Sequence, residues 1–227
     1  MYIKGLGEIE AIAFDIDGTL YPQNRIHWHA IFHYIIHVCF FSHYGIVRSK
    51  LHKMKPLEDL NDTQVELMAK SLHCSKDVAK EKLRKIVYDG LKKYFKRIKC
   101  FDDVPETFEK FKNAGFKLAL LSDFPPEQKG EIWGVKKYCD VVLGTEQLGA
   151  LKPDPYSFWE MAKQLNVEPS KILYVGNSRK YDVVGSHNAG MKSAYLVPFS
   201  KRLFKKSIKE PEILFCNYRQ LQNIVLQ

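Results

Sequence analysis

Apolar residues follow two different patterns along this chain. Near the amino terminus and again after residue 100, short and nearly continuous apolar runs alternate with segments of helical periodicity. Such runs are typical of buried parallel strands, and their alternation with helices predicts βαβ units, a mainly parallel sheet and helices on both of its faces. The predicted strands are Ile9–Phe14, Phe116–Leu121, Asp140–Leu143, Lys171–Val175, Ser193–Val197 and Glu212–Phe215. The predicted helices of this part are Val104–Asn113, Glu127–Trp133, Pro155–Leu165, Asp182–Ala189 and a short one after Asn217.

Residues 22–99 show helical periodicity and no strand pattern. The stretch from Trp28 to Phe41 is apolar nearly all round, with histidines among its apolar residues. Asn61 or Asp62 can cap a following helix, and Ser75 is typical of the residue that precedes another. We therefore expect a helical insert after the first strand.

The composition is that of a globular protein. Of the 227 residues, 45% are apolar and 13% aromatic, which is ample for a packed core. The chain begins without an apolar leader, and its most apolar stretch, Ala30–Val47, is too polar and too short for a membrane span, so we expect a cytoplasmic protein with no membrane partner. The five cysteines are scattered, lack a Cys-x-x-Cys pair and fit a reducing compartment: Cys39, Cys74, Cys100, Cys139 and Cys216.

The net charge of +9 is unevenly distributed. Between Arg48 and Lys99 there are 15 Lys and Arg against 7 Asp and Glu, an excess of 8 positive charges. A second basic cluster is Lys201–Lys206. Such regions attract phosphates, nucleic acid or an acidic membrane surface, but a charge run by itself is more often a solvated face.

The segment Asp15-Ile16-Asp17-Gly18-Thr19-Leu20 carries the clearest chemical signal. It places two carboxylates at the carboxyl end of the first predicted strand, where open α/β sheets bind their ligands. Gly18 can bend the chain so that both carboxylates face one space. Paired acids suit a divalent metal, nucleophilic attack or acid–base chemistry, and the alternative is an ordinary Asp-Gly turn.

Three further polar segments follow predicted strands at the same edge of the sheet. Ser122 and Asp123 can hold a phosphate oxygen through a hydroxyl and nearby backbone N–H groups, or form a turn. Lys152 lies in a segment whose backbone is restrained by Pro153 and Pro155. Its ammonium can neutralise a transferring phosphoryl group, or the residue simply precedes a helix. The oxygen-bearing side chains from Asn177 to Asp182 can complete a hard-cation site, or cap the next helix.

Together these four segments, in this order and spacing, resemble the haloacid dehalogenase superfamily. The helix opening Asp102–Thr107 and the segment Asn188–Met191 support the resemblance, which runs from about residue 9 to residue 197. Within the superfamily the chain is similar to the branch with a helical cap inserted between the first and second motifs. The resemblance implies a Rossmann-like three-layer α/β core with a mainly parallel sheet, formed by residues 1–21 and 100–227, and an all-helical cap at 22–99.

The resemblance also implies a Mg²⁺-dependent phosphatase. Asp15 would be the nucleophile that forms an aspartyl-phosphate, and Asp17 would protonate the leaving oxygen and later activate water. Thr19 and Ser122 would steady the site and Lys152 would offset charge. The implied substrate-binding residues are Asp15, Gly18, Ser122, Asp123 and Lys152, and the implied Mg²⁺ ligands are Asp15, Asp17 through its carbonyl, Asn177 and Asp182.

Two positions refine this interpretation. The dehalogenases that name the superfamily lack a carboxylate at the position of Asp17 and need no metal, so Asp17 favours a phosphate ester over a haloacid. Asn177 stands where the family usually has Asp, and its neutral oxygen predicts weaker metal binding, with Asp182 contributing directly or through a water.

Two functions are consistent with the sequence. The first is hydrolysis of a small metabolite phosphate, with a nucleotide, phosphoglycolate or a sugar phosphate all admissible; Leu20-Tyr21-Pro22 resembles nucleotide 5′-phosphatases. The second is a binding or regulatory protein of the same fold whose basic cap holds an anionic partner. The presence of Asp15, Asp17 and Lys152 favours the enzyme. Nucleic acid is not an expected partner of such an enzyme. The sequence does not determine the oligomeric state.

The helical insert is rich in histidine. His29, His33 and His37 are spaced four residues apart, so we expect them on one helix face. A metal site is one interpretation of this spacing. A partly buried stripe of aromatic and polar side chains is the interpretation we favour.

Overall fold

The computed structural model describes residues 1–197 and 211–227, and the basic cluster Lys201–Lys206 lies outside these ranges. The strands that it describes are β1 (Tyr2–Ile3), β2 (Gly7–Glu8), β3 (Ala11–Phe14), β4 (Lys117–Ser122), β5 (Val141–Gly144), β6 (Ile172–Gly176), β7 (Lys192–Leu196) and β8 (Ile213–Phe215). The first two form a small antiparallel hairpin, and the other six form one parallel sheet in the order β5-β4-β3-β6-β7-β8.

The helices divide into those of the insert and those that cover the sheet. The first group is α1 (Gln23–His29), α2 (Ile31–Ile36), α3 (Val38–Leu51), α4 (Leu60–Leu72), α5 (Lys76–Lys82) and α6 (Asp89–Phe95). The second group is α7 (Val104–Asn113), α8 (Thr145–Leu148), α9 (Pro155–Leu165), α10 (Val184–Asn188) and α11 (Tyr218–Val225). Residues 22–99, all of which the structure describes, contain no strand.

The alternation of side chains along β3 explains the three layers. All four residues of this strand are fully buried. Ile12 and Phe14 belong to one apolar cluster, which includes Phe108 of α7, whereas Ala11 and Ala13 belong to another, which includes Phe158 of α9. Because successive side chains of a strand point to opposite faces, each face of the sheet is covered by its own helices. The predicted three-layer α/β fold with a mainly parallel sheet is confirmed.

The register of the central strands brings the polar segments together. Phe14 pairs with Leu120 of β4 on one side and with Val175 of β6 on the other. The residues that follow these three strands therefore meet at one edge of the sheet, as expected for parallel neighbours. Asp15 follows β3 and Asn177 follows β6, and Ser122 is the last residue of β4.

The histidine-rich part of the insert differs from the prediction. One helix from Trp28 to Phe41 is not formed, because the backbone leaves helical geometry at Ala30 and again at His37. His29 and His33 consequently lie on different short helices, and the prediction of a single histidine face is wrong. Among the described residues, no three His, Cys, Asp or Glu side chains are grouped to hold a metal.

His33 instead packs into the insert. Its Nε2 lies 2.8 Å from the Ile86 carbonyl oxygen, and its ring lies 4.8 Å from that of His37 and 5.8 Å from that of Tyr94. The aromatic and polar stripe is thus the interpretation that the geometry fits. No helix of the described chain is long and apolar enough to cross a membrane.

Two other local predictions need correction. The N-cap of α4 is Asp59, whose Oδ1 accepts a hydrogen bond of 2.8 Å from the N–H of Asp62, so neither Asn61 nor Asp62 is the cap. The helix predicted at 127–133 is replaced by two 3₁₀ turns, Pro126–Lys129 and Ile132–Gly134. Gly130 interrupts them with a φ of +61°, a conformation that glycine adopts without strain.

Candidate active site

The carboxylate of Asp15 is buried at the end of β3 between two donors. Lys152 Nζ lies 2.7 Å from its Oδ1, and Thr19 Oγ1 donates a 2.7 Å hydrogen bond to its Oδ2. Burial raises the pKa of Asp15 to about 7, since the neighbouring Lys152 offsets only part of that effect and two nearby carboxylates, Asp182 and Asp17, add to it. A further cation beside this group would favour the ionised form that a nucleophile requires.

Lys152 is held between two carboxylates. Its Nζ donates to Asp182 Oδ1 at 2.8 Å as well as to Asp15, and it lies 3.3 Å from the hydroxyl of Tyr174. The residue is only 2% exposed. The coulombic attraction of both carboxylates keeps the pKa of Lys152 well above its usual value despite burial, so it is a permanent positive charge at the site.

Asp182 fixes the loop after β6. Its Oδ2 accepts hydrogen bonds from the backbone N–H groups of Asn177, at 3.1 Å, and Ser178, at 2.8 Å. With Oδ1 bound to Lys152, both carboxylate oxygens of Asp182 already have donors. The observed role of Asp182 is therefore to position Lys152 and this loop, and its predicted role as a metal ligand stays a prediction.

Asp17 is bound by a second set of donors. Its Oδ1 accepts a 2.6 Å hydrogen bond from the Tyr21 hydroxyl, and its Oδ2 accepts one of 2.9 Å from Ser122 Oγ. Lys129 Nζ also lies 2.9 Å from Oδ2. Burial by itself would raise the pKa of Asp17, but Lys129 and the two hydroxyl donors outweigh it and hold the pKa below its usual value.

Gly18 allows the turn after β3 and the loop after β6 to approach each other. It has a φ of +90°, and a Cβ at this position would collide with the side-chain amide of Asn177. Thr19 Oγ1, which donates to Asp15, also lies 3.3 Å from Asn177 Oδ1. The carboxylate oxygen of Asp15 and the amide oxygen of Asn177 therefore converge on one small space.

The donor set at this space fits a hard divalent cation. Carboxylate and amide oxygens are ligands that Mg²⁺ accepts, and the Asp17 backbone carbonyl belongs to the same turn. The charged side chains that line the surrounding cavity are four carboxylates and four cations, so the preference for a cation rests on the oxygen ligands themselves.

Asp123 connects the strand ends and the insert. Its Oδ1 accepts hydrogen bonds from Thr145 Oγ1, at 2.7 Å, and from the Lys152 backbone N–H, at 3.1 Å. Its carbonyl accepts one of 3.2 Å from the guanidinium of Arg48, which also pairs with the buried carboxylate of Glu146. The observed contacts of Asp123 are structural, and its predicted contact with substrate stays a prediction.

A cavity of about 780 Å³ lies over these groups. The core contributes residues such as Asp15, Asn177 and Tyr181 to its lining, and the insert contributes residues such as Tyr44 and His52. His52 connects the two sides, because its ring stacks on that of Tyr181 at 4.5 Å and its Nδ1 lies 2.6 Å from the Lys152 carbonyl oxygen. A small phosphate ester fits a cavity of this size.

Several site residues were absent from the sequence-based set. No sequence motif around Lys129 or Glu146 indicates that these residues lie at the site. Arg48 lies in the basic region of the insert, but nothing in the sequence indicates that it is buried in an ion pair. Tyr21 belongs to the segment that resembles nucleotide 5′-phosphatases, and its observed contact is the hydrogen bond to Asp17.

The comparisons with known proteins agree with this geometry. The family model described as haloacid dehalogenase-like hydrolase matches residues 12–196. The chain belongs to this family, and the resemblance stated from the sequence is confirmed. The match covers all but the first residue of β3, the strands β4 to β7, the helical insert and all four polar segments.

The chain is similar to three known proteins. It is 26% identical over 192 residues to a glyceraldehyde 3-phosphate phosphatase of Methanopyrus kandleri, which covers 81% of this chain and 82% of that protein. It is 26% identical over 130 residues to a phosphoglycolate phosphatase of Haemophilus influenzae, covering 56% of this chain and 58% of the relative. The structure of a 2-haloacid dehalogenase from Pseudomonas syringae superposes with a TM-score of 0.66 at 19% identity, covering 95% and 97% of the two chains.

Proposed function

We propose that this enzyme, a haloacid dehalogenase-like phosphatase, hydrolyses the phosphate monoester of a small metabolite with the help of Mg²⁺. The observation that carries the proposal is the pair of carboxylates with separate surroundings. Asp15 lies against Lys152 and Thr19, whereas Asp17 lies against Ser122, Tyr21 and Lys129. Two acids with different environments suit two different roles in one reaction.

In the first half of the reaction, a carboxylate oxygen of Asp15 attacks the phosphorus. The bond between phosphorus and the ester oxygen breaks, its electron pair stays on that oxygen, and a proton from the Asp17 carboxylic acid completes the alcohol. Lys152 Nζ lies 2.7 Å from the attacking carboxylate and stabilises negative charge on the phosphoryl group. The product of this half is an aspartyl-phosphate.

In the second half, water attacks the phosphorus of the aspartyl-phosphate. Asp17 takes a proton from that water as the bond between phosphorus and the Asp15 oxygen breaks, which releases inorganic phosphate and restores both residues. The ionised Asp17 that its surroundings favour is the form required for this step. The negative charge of a bound phosphate ester raises the pKa of Asp17 and so supplies the protonated form for the first half.

Mg²⁺ would be held by Asp15, the Asp17 carbonyl and Asn177, and when bound it supplies positive charge that keeps Asp15 ionised and offsets charge on the phosphoryl group. Asn177 provides a neutral oxygen in place of a carboxylate. The affinity for the metal is consequently lower than that of a site with Asp at this position.

A phosphate ester is a better substrate for this site than a haloacid. Displacement of a halide needs no proton donor for the leaving group, whereas an alkoxide leaving group does. Asp17 supplies this proton donor, and Ser122 Oγ lies 2.9 Å from its Oδ2.

We further propose that residues 1–21 and 100–227 act as the catalytic core and residues 22–99 as the cap that encloses the ester.

The binding-protein alternative gains no support from the geometry of the basic insert. Some of its cations are paired within the insert: Lys76 lies 2.6 Å from Glu66, and Arg84 lies 2.9 Å from Glu81 and 2.6 Å from Asp89. The guanidinium of Arg48 is buried. The excess of positive charge between Arg48 and Lys99 already takes these acids into account, and a charge excess by itself identifies no partner.

The test is a panel of phosphate monoesters assayed for phosphate release with and without Mg²⁺. Glyceraldehyde 3-phosphate, phosphoglycolate, nucleoside 5′-monophosphates and sugar phosphates cover the admissible classes. We expect release from at least one of them and a requirement for Mg²⁺. A folded protein that releases phosphate from none of them contradicts the proposal.

A further inference from the structure

Lys129 is a buried ammonium that the proposed reaction does not use. Its side chain is fully buried, and its Nζ lies 2.9 Å from Asp17 Oδ2 and 3.4 Å from Ser122 Oγ. The same atom lies 5.5 Å from the centre of the Phe95 ring and 5.3 Å from that of Phe124. One carboxylate, one hydroxyl and two aromatic faces thus surround it.

Stability alone does not account for an ammonium in these surroundings. Removing such a charge from water costs free energy that a single ion pair often fails to recover, and an apolar side chain packed between two rings is frequently at least as stable. The position of the charge is more informative, because its partner is Asp17, the proposed acid and base. Lys152, by comparison, contacts Asp15 and Asp182.

The contacts of Lys129 also orient Ser122. Ser122 Oγ accepts from Lys129 and from the backbone N–H of Phe124 at 3.2 Å, so its proton points to Asp17 Oδ2 at 2.9 Å. Tyr21 holds the other oxygen of Asp17 at 2.6 Å. The carboxylate is therefore fixed by three donors, of which only Lys129 is charged.

We propose that Lys129 is a positioning residue: its buried charge holds the Asp17 carboxylate where it reaches the ester oxygen and the hydrolytic water. This inference rests on the proposed function and adds a second lysine to the site. It assigns Lys129 an effect on acid–base chemistry through Asp17, and no direct contact with the phosphoryl group.

Lys129→Met tests the proposal, with Lys129→Arg as the conservative variant. Met retains the apolar stem between the two rings but loses the charge, so Asp17 keeps only its hydroxyl donors. With an alkyl phosphate, for which both halves of the reaction need Asp17, we expect kcat to fall by about 10- to 100-fold, a part of the 10²–10⁴ that general acid–base catalysis contributes, with little change in KM. Lys129→Arg should recover most of the loss.

Three measurements separate positioning from a merely structural role. The leaving group of p-nitrophenyl phosphate needs no proton, so Lys129→Met should still give a rapid burst of p-nitrophenol. Turnover after the burst should be slow, because hydrolysis of the aspartyl-phosphate becomes rate-limiting. In an Asp17→Asn background, Lys129→Met should cause no further loss. The inhibition constant of inorganic phosphate should be unchanged. Lys112→Met, which removes a lysine from a surface pair with Asp140, is the matched control and should behave as the parent.

The opposite results overturn the proposal. An equal loss in the parent and Asp17→Asn backgrounds, or a phosphate inhibition constant weakened about tenfold, would assign Lys129 to the phosphoryl group itself. If the parent enzyme hydrolyses no ester, the proposed function fails, but crystal structures of the Lys129 variants still decide the inference. In Lys129→Met the Asp17 carboxylate should move away and lose its contact with Ser122 Oγ, whereas in Lys129→Arg this contact should be kept. If the carboxylate does not move in Lys129→Met, the positioning role is refuted.

Discussion

Lys152 Nζ lies 2.7 Å from Oδ1 of Asp15, although 137 residues separate the two in the chain. The same ammonium is 2.8 Å from Asp182 Oδ1, so two buried carboxylates share one cation. The arrangement places a permanent positive charge against the proposed nucleophile and ties it to the loop that follows β6. We therefore expect stability and the proposed catalysis to depend on the same three side chains.

Replacing Lys152 should test this shared dependence. Lys152→Met leaves Asp15 and Asp182 buried without a cation, so we expect the free energy of unfolding to fall by about 3–5 kcal/mol and phosphate release to be lost. Chemical denaturation measures the first effect. Lys112→Met provides the comparison, since its exposed pair with Asp140 is worth at most about 1 kcal/mol. Equal losses of stability in the two variants would contradict the central role of Lys152.

Removing the nucleophile should abolish the reaction. Asp15→Asn retains the shape of the side chain but cannot form an aspartyl-phosphate, so we expect phosphate release to fall by more than about 10³-fold. Circular dichroism establishes that the variant is folded, and trapping with labelled substrate measures the phosphoenzyme. Turnover close to that of the parent would rule out covalent catalysis by Asp15.

Asp17→Asn should separate substrates by their leaving groups. The amide cannot donate or accept the required proton, so hydrolysis of an alkyl phosphate should slow by about 10²–10⁴-fold. Release of p-nitrophenol in the first turnover should be affected less, because that leaving group departs without a proton. An alkyl phosphate cleaved by this variant at the parental rate would show that another group protonates the ester oxygen.

The substitution Asn177→Asp should strengthen metal binding. An anionic oxygen binds a hard cation more strongly than an amide oxygen, so the Mg²⁺ concentration for half-maximal activity should fall. Asp182→Asn should have the opposite effect, because it weakens the hold of Lys152 and of the Asn177 loop. A magnesium titration of the three proteins with an aryl phosphate is the measurement. Superimposable curves would mean that the metal binds elsewhere.

The pair of Asp140 and Lys112 predicts how stability depends on pH. Partial burial would raise the pKa of Asp140, but the ammonium of Lys112, 2.7 Å away, and the Leu118 N–H, 2.8 Å away, lower it below its usual value. The stabilisation is therefore present above the usual Asp pKa of about 3.9 and is lost as the pH falls through the lower value of the folded state.

Asp140→Asn should remove that dependence. We expect it to destabilise the protein by about 1 kcal/mol at pH 7 and by progressively less as the pH falls toward about 3. Urea denaturation at a series of pH values measures the difference between variant and parent. A difference that stays constant over the whole range would show that the charge of Asp140 contributes nothing.

The sequence by itself determined the architecture and the location of the site. The buried run before Asp15 and the polar residues after each later run predicted one functional edge of a parallel sheet. The helices Val104–Asn113 and Pro155–Leu165 have the predicted bounds, and Ser75 caps α5 as expected. These features depend on burial, periodicity and local hydrogen bonds, which neighbouring residues in the chain specify.

Only the tertiary structure decided which side chains pair. The ion pair of Lys129 with Asp17, the burial of Arg48 against Glu146 and the breaks that separate His29 from His33 were not predicted. A lysine on a turn and a lysine in a buried pocket look the same in a sequence. Partners some 100 residues apart meet only when the sheet and the insert have packed, and the resulting distances and dielectric surroundings decide which charges are retained for chemistry.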